Sequence, residues 1–228
     1  MSTPPTVEAV LVDFGGVLTT SVIDAFRRSS EDLCGDPELI LTVLREDEEG
    51  SRLLVEHECG RIDAAAFERG FAERLRAHGA AVEAAGLVDR LQVGLQRDEG
   101  MFDAMARLRA AGVPVAVVSN SFGEDSYRGF DLGRIADVVV ISGEEGVRKP
   151  SRRLYTIACE RLGREPSRCV MIDDLEHNLA GAARLGIHGI HHHDATTTVR
   201  ALEQMLAVSI TQPGELHDHP SAAGSGLI

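Results

Sequence analysis

The feature that most restricts the fold of this chain is a regular alternation of short apolar runs with helical stretches from residue 101 onward. Residues 101–111 carry Met101, Met105 and Leu108 at helical spacing and stop at Gly112. Residues 114–118 and 138–141 are apolar runs of strand length. Residues 151–162 read as a helix closed by Gly163, 169–172 as a strand, and 175–185 as a helix closed by Gly186. A strand at 187–190 and a helix at 196–208 complete the series. Strand and helix in turn predict parallel β-α units with right-handed crossovers and helices on both faces. The expected class is α/β, with a Rossmann-like parallel sheet.

An earlier strand belongs to the same sheet. The apolar run at residues 9–12 delivers Asp13 into a turn containing Gly15 and Gly16. Glycine allows a tight turn and close approach of backbone to a ligand. In open α/β sheets, ligands bind at the carboxyl ends of strands, which is where Asp13 falls. From about residue 21 to residue 95 no strand pattern occurs. Phe67, Phe71 and Leu75 lie on one helical face, with Asp63 placed to cap that helix. An all-helical insertion is therefore expected. The predicted organisation is a discontinuous core at 1–19 and 96–210, a helical cap at 20–95, and a disordered tail at 211–228. Hinges are expected at Gly15-Gly16 and at residues 96–100.

Composition narrows the function. The net charge of −13 disfavours broad contact with nucleic-acid backbones. It leaves room for a small phosphorylated substrate, because one Lys and one metal ion reverse a local field. No apolar run approaches the ~20 residues needed to span a bilayer, and residues 1–6 lack a signal-like pattern. A cytoplasmic protein, monomer or homodimer, is expected. Cys34, Cys59, Cys159 and Cys169 have no Cys-x-x-Cys spacing and read as reduced, mostly buried thiols. His191 and His193 alternate at a strand end, but no carboxylate or Cys spacing for zinc accompanies them.

Polar residues recur where strands end. Ser119 and Asn120 follow the second strand, where a hydroxyl and free N–H groups suit a phosphate oxygen, although a serine there is more often a helix cap or turn residue. Lys149 precedes Pro150, which restricts it to extended backbone and can open the next helix at its first turn. Asp173 and Asp174 end the fourth strand. Adjacent carboxylates raise each other's pKa unless a cation compensates, although acids also cap helices. Asp174 with Asp13 and a backbone carbonyl is a hard-oxygen set suited to Mg²⁺. Asn178, one turn on, is placed to hold the loop or an acid.

Taken in order, Val12-Asp13-Phe-Gly-Gly-Val-Leu18, Val118-Ser119-Asn120, Gly146-Val-Arg-Lys149-Pro150 and Ile172-Asp173-Asp174-Leu-Glu-His-Asn178 resemble the motifs of the haloacid dehalogenase-like hydrolase superfamily. The resemblance spans about residues 8–205. It is nearest the subgroup with a small helical cap after the first motif, which includes sugar-phosphate phosphatases and the N-terminal phosphatase domain of soluble epoxide hydrolase. It implies a Mg²⁺-dependent phosphatase for a small phosphorylated metabolite, with Asp13 as nucleophile and an aspartyl-phosphate intermediate. It implies metal ligation by Asp13, the Gly15 carbonyl and Asp174, with Asp173 direct or nearby. Ser119, Asn120, Lys149 and Gly15 would bind phosphate, Ser119 and Lys149 also acting in catalysis, and Asn178 would support them.

One position departs from the pattern. Most phosphatases of the family carry a second Asp two residues after the nucleophile, as general acid and base; here that residue is Gly15. Such a group is worth about 10²–10⁴ in rate. His57 and Glu58 of the cap are candidates to replace it. Two other functions therefore stand beside a phosphatase. One is a weak or inactive phosphate-binding or regulatory member, motivated by Gly15. The other is a haloacid dehalogenase, disfavoured by the metal-seeking pair Asp173 and Asp174.

Overall fold

The computed structural model describes residues 7–123 and 126–210. The tail expected at 211–228 lies outside them. Strands β1 (Ala9–Val12), β2 (Val115–Ser119), β3 (Val138–Ile141), β4 (Cys169–Asp173) and β5 (His188–His191) form one sheet in the order β3-β2-β1-β4-β5. Every pairing is parallel. The chain leaves β1 in one direction to build β2 and β3, then returns to place β4 on the other side. The crevice between β1 and β4 is thus the topological switch point, where such sheets bind ligands.

Helices cover both faces. Val10, Val12, Val170 and Ile172 pack with α6 (Glu99–Ala110) and α11 (Ala195–Leu206). Ala9, Leu11, Cys169 and Met171 face α9 (Arg152–Leu162) and α10 (Glu176–Ala183). The period of two along each strand produces this division. Two single turns, α7 (Leu132–Ile135) and α8 (Ser142–Glu145), flank β3.

Between β1 and α6 lie α1 (Val22–Cys34), α2 (Leu39–Glu46), α3 (Glu48–Glu58), α4 (Ala64–Ala77) and α5 (Leu87–Leu91). The region is helical but broken, with irregular backbone after α4 where Gly79 and Gly86 take positive φ. Asp63 caps α4, accepting from Ala66 N at 2.7 Å. Phe67, Phe71 and Leu75 are fully buried in a separate core with Phe26, Ile40 and Val43. The two segments joining this bundle to the sheet run side by side: Thr20 N donates to Gln96 O at 2.8 Å and Asp98 N to Leu18 O at 3.0 Å.

Pro150 does not open α9. Ser151 is the N-cap and the first helical residue is Arg152, so Pro150 lies ahead of the cap, joined to Lys149 by a cis peptide bond. The local preference for Pro in a first turn is met here by a serine whose hydroxyl accepts from Arg153 N.

Candidate active site

The acids at the ends of β1 and β4 meet because the strands pair in register. Val12 lies opposite Ile172, and Asp13 N donates to Ile172 O at 2.9 Å. Asp13 and Asp173 continue the alternation of Leu11 and Met171, so both turn toward the α9 face. Lys149 enters from that face, fully buried, with Nζ 2.7 Å from Asp13 Oδ1 and 2.7 Å from Asp173 Oδ2. Burial alone would lower the Lys149 pKa, but Asp13 and Asp173 hold it above the ordinary lysine value. Burial pushes Asp13 up, Lys149 pulls it back, and Asp173 and Asp174 add to the upward push.

Asp173 is saturated by protein. Besides Lys149, it accepts from Leu175 N at 3.0 Å and Asn178 Nδ2 at 2.9 Å. Tyr155 Oη donates to Asn178 O at 2.8 Å and fixes the start of α10 beneath it. Asp174, one residue on, turns the other way and lines the cavity over the strand ends. Its Oδ1 is buried and has no hydrogen-bond partner. Burial and then Asp173 push Asp174 up to about 6. Gly16 makes this approach possible. Its φ is +80°, and a Cβ there would lie 2.8 Å from Asp174 Cγ.

One oxygen each from Asp13, Asp173 and Asp174 lies within 4.8 Å of the others. No other group of His, Cys, Asp and Glu is so placed among the described residues. His191 and His193 instead meet ring to ring at 4.2 Å with their planes tilted by 55°, and His191 Nε2 lies 3.0 Å from Asp174 O. Three carboxylates against one ammonium leave a deficit of positive charge. Oxygen-only donors and an orphaned carboxylate oxygen fit a hard divalent cation such as Mg²⁺.

The remaining predicted residues border the same space. Ser119 is buried at the end of β2, and its hydroxyl accepts from Tyr127 Oη at 2.9 Å. Asn120 braces Lys149 through its side chain, accepting from Lys149 N at 2.8 Å and donating to Lys149 O at 3.4 Å. Gly15 lines the cavity, and a Cβ there would meet Val22 Cγ2 at 2.8 Å.

The two cap candidates part company. His57 stacks on Phe67 at 4.6 Å within the cap core, and burial lowers its pKa. Glu58 lines the cavity, with Oε2 2.8 Å from Arg148 Nε. Its backbone carbonyl accepts from Ser142 Oγ, which ties the cap to the sheet domain. Burial lifts Glu58 to about 7 against the pull of Arg148 and Lys149. Sequence reasoning missed Tyr127 and Phe122, which neither motif nor period marks, and Arg148, which lies within the motif at residues 146–150 but was assigned no role. The cavity measures about 530 Å³.

Comparison with known proteins identifies the family and the fold. The family model described as haloacid dehalogenase-like hydrolase matches residues 7–186. The chain belongs to that family. Acyl-CoA dehydrogenase family member 10 of Mus musculus is 41% identical over 46% of this hydrolase chain and 10% of its own length. (S)-2-haloacid dehalogenase 4A of Burkholderia cepacia is 29% identical over 46% of the chain and 48% of its own. Ribulose-1,5-bisphosphate 5-phosphatase of Halopiger xanaduensis is 30% identical over 51% of the chain and 53% of its own. The matches to these curated relatives thus span about half of their length or less. A solved HAD family enzyme from Bacteroides thetaiotaomicron, in complex with magnesium and inorganic phosphate, shares the fold. Its TM-score is 0.61 at 21% identity, covering 84% of this chain and 98% of that one. Among the described residues, no helix of this HAD-like hydrolase is long and apolar enough to cross a membrane.

Proposed function

We propose that this hydrolase is a Mg²⁺-dependent phosphatase of small phosphorylated metabolites, with residues 20–95 as a cap over a core of 1–19 and 96–210. The observation that carries this reading is the unpartnered, buried Oδ1 of Asp174 beside Asp13, while Lys149 is already shared by Asp13 and Asp173. A displacement at carbon has no need of a second cation, so this charge deficit supports phosphoryl over carbon–halogen chemistry.

Asp13 and Asp174, with the Gly15 carbonyl, would hold the metal, and Asp173 would orient Lys149 rather than ligate. When bound, the ion would offset the repulsion between the Asp13 carboxylate and an anionic phosphate. Asp13 attacks phosphorus, and its carboxylate becomes an aspartyl-phosphate as the alcohol leaves. Lys149 keeps one positive charge against Asp13 and the phosphoryl oxygens throughout, in a site where burial makes that charge count. Ser119 donates to a phosphate oxygen, its hydroxyl oriented by Tyr127. Water then cleaves the acyl-phosphate and regenerates Asp13. Glu58, which lines the cavity, would give a proton to the leaving alcohol oxygen and take one back from the hydrolytic water, an exchange for which Gly15 has no group.

The test is phosphate release from 4-nitrophenyl phosphate with and without Mg²⁺, for the wild type and Asp13→Asn. Metal-dependent release that disappears in the variant supports the reading. Chloride release from 2-chloropropionate in the presence of chelator would replace it with dehalogenation. Gly15 favours one other reading, a phosphate-binding member without turnover. That reading predicts that phosphate raises the melting temperature while no aspartyl-phosphate can be trapped on Asp13.

A further inference from the structure

Away from its acidic pole the cavity has a hydrocarbon wall. Val22, Ile23 and Phe26 come from α1, Leu44 from α2 and Leu54 from α3, and Phe122 closes the side beyond β2. Val22, Ile23, Leu54 and Phe122 pack against the cap core on one side and are only partly buried. The surface they leave uncovered borders the cavity.

The polar groups of this wall are largely committed to protein. Gln92 donates its amide to Val88 O at 3.4 Å and to Phe122 O at 3.1 Å. Glu58 pairs with Arg148. Thr19 accepts from Gly16 N at 3.2 Å and donates to Thr20 O at 3.0 Å. Ser51 and the solvent-exposed Arg45 are what remains on the cap side, and near Phe122 the cavity-lining Ser126 has a buried hydroxyl without a hydrogen-bond partner. A sugar or nucleoside entering this space would shed water from several hydroxyls and find few partners, which is costly. A hydrocarbon gains free energy by the same transfer.

We propose, resting on the phosphatase reading above, that the alcohol part of the substrate is a hydrocarbon. The substrate class is an alkyl, prenyl or aryl phosphate monoester, not a sugar phosphate or nucleotide. The apolar wall on α1, α2 and α3 with Phe122 receives the hydrocarbon, while the strand ends hold the phosphoryl group.

The full chain with Mg²⁺ is first assayed on 4-nitrophenyl phosphate. Ethyl, butyl, hexyl and octyl phosphate are then compared with glycerol 3-phosphate and glucose 6-phosphate. Each methylene is expected to raise kcat/KM about fourfold until the wall is filled, placing octyl phosphate at least about 100-fold above glucose 6-phosphate. Ile23→Gln, at a partly exposed position, is expected to shrink the octyl-to-ethyl ratio about tenfold. That ratio is taken within one variant, so partial unfolding does not disturb it. If 4-nitrophenyl phosphate is hydrolysed but the series is flat, or glucose 6-phosphate matches octyl phosphate, the hydrocarbon assignment is wrong and the phosphatase reading survives. An unmoved ratio in Ile23→Gln removes the proposed wall. No turnover of any phosphate, 4-nitrophenyl phosphate included, removes both.

Discussion

At the residue scale, the site is a balance of buried charges. Lys149 is the only cation in contact with Asp13 and Asp173 among the described residues. Lys149→Met is expected to cost about 3–5 kcal/mol, because it leaves two buried carboxylates unpaired; urea unfolding measures this. Glu58 makes a separate, pH-dependent contribution. Its pKa in the fold is about 7, above the ordinary 4.5. Between those values the folded state holds a proton that the unfolded chain has released. Stability therefore falls as pH rises through this window, by up to about 3 kcal/mol, and is flat above it. Glu58→Gln is expected to narrow the difference in melting temperature between about pH 5 and about pH 8. An unchanged difference would mean that Glu58 titrates normally.

At the element scale, the cap stands on its own aromatic core. Phe67 stacks on Phe71 at 5.3 Å and meets Phe122 edge-on at 5.7 Å, linking α4 to the segment after β2. Phe67→Ala is expected to cost about 3–5 kcal/mol, measured by urea unfolding, through a cavity between α3, α4 and that segment. The helical face carrying Phe67, Phe71 and Leu75 was legible because a period of 3.6 is local information. The direction taken by His57 and Glu58 was not. They are consecutive on one helix, so about 100° separates them, and only the packing of α3 decides which one meets the cavity. The position of Pro150 ahead of the cap was equally hidden, because the preference for a first-turn proline competes with the capping hydroxyl of Ser151.

At the scale of the whole molecule, the candidate site depends on two distant segments, the ends of β1 and β4, meeting at one cleft. At saturating Mg²⁺ the melting temperature is expected to rise by about 5–10 °C, as an ion bound only by the folded state requires. Asp174→Asn should abolish most of that shift, and an equal shift in the variant would place the ion elsewhere. Alternation of strand and helix, and acids or hydroxyls at strand ends, were readable along the chain, since each depends on neighbours a few residues apart. The order β3-β2-β1-β4-β5 was not, because pairing joins segments over 150 residues apart, β1 and β4, by backbone hydrogen bonds that carry no side-chain signature. The sequence by itself determined which groups were available: three carboxylates, one ammonium, one hydroxyl, and a glycine where a proton donor is usual. Tertiary structure alone decided their division of labour. Side-chain alternation turned Asp173 inward to Lys149 and left Asp174 facing the cavity, and the cap brought a hydrocarbon wall and Glu58 to the same opening.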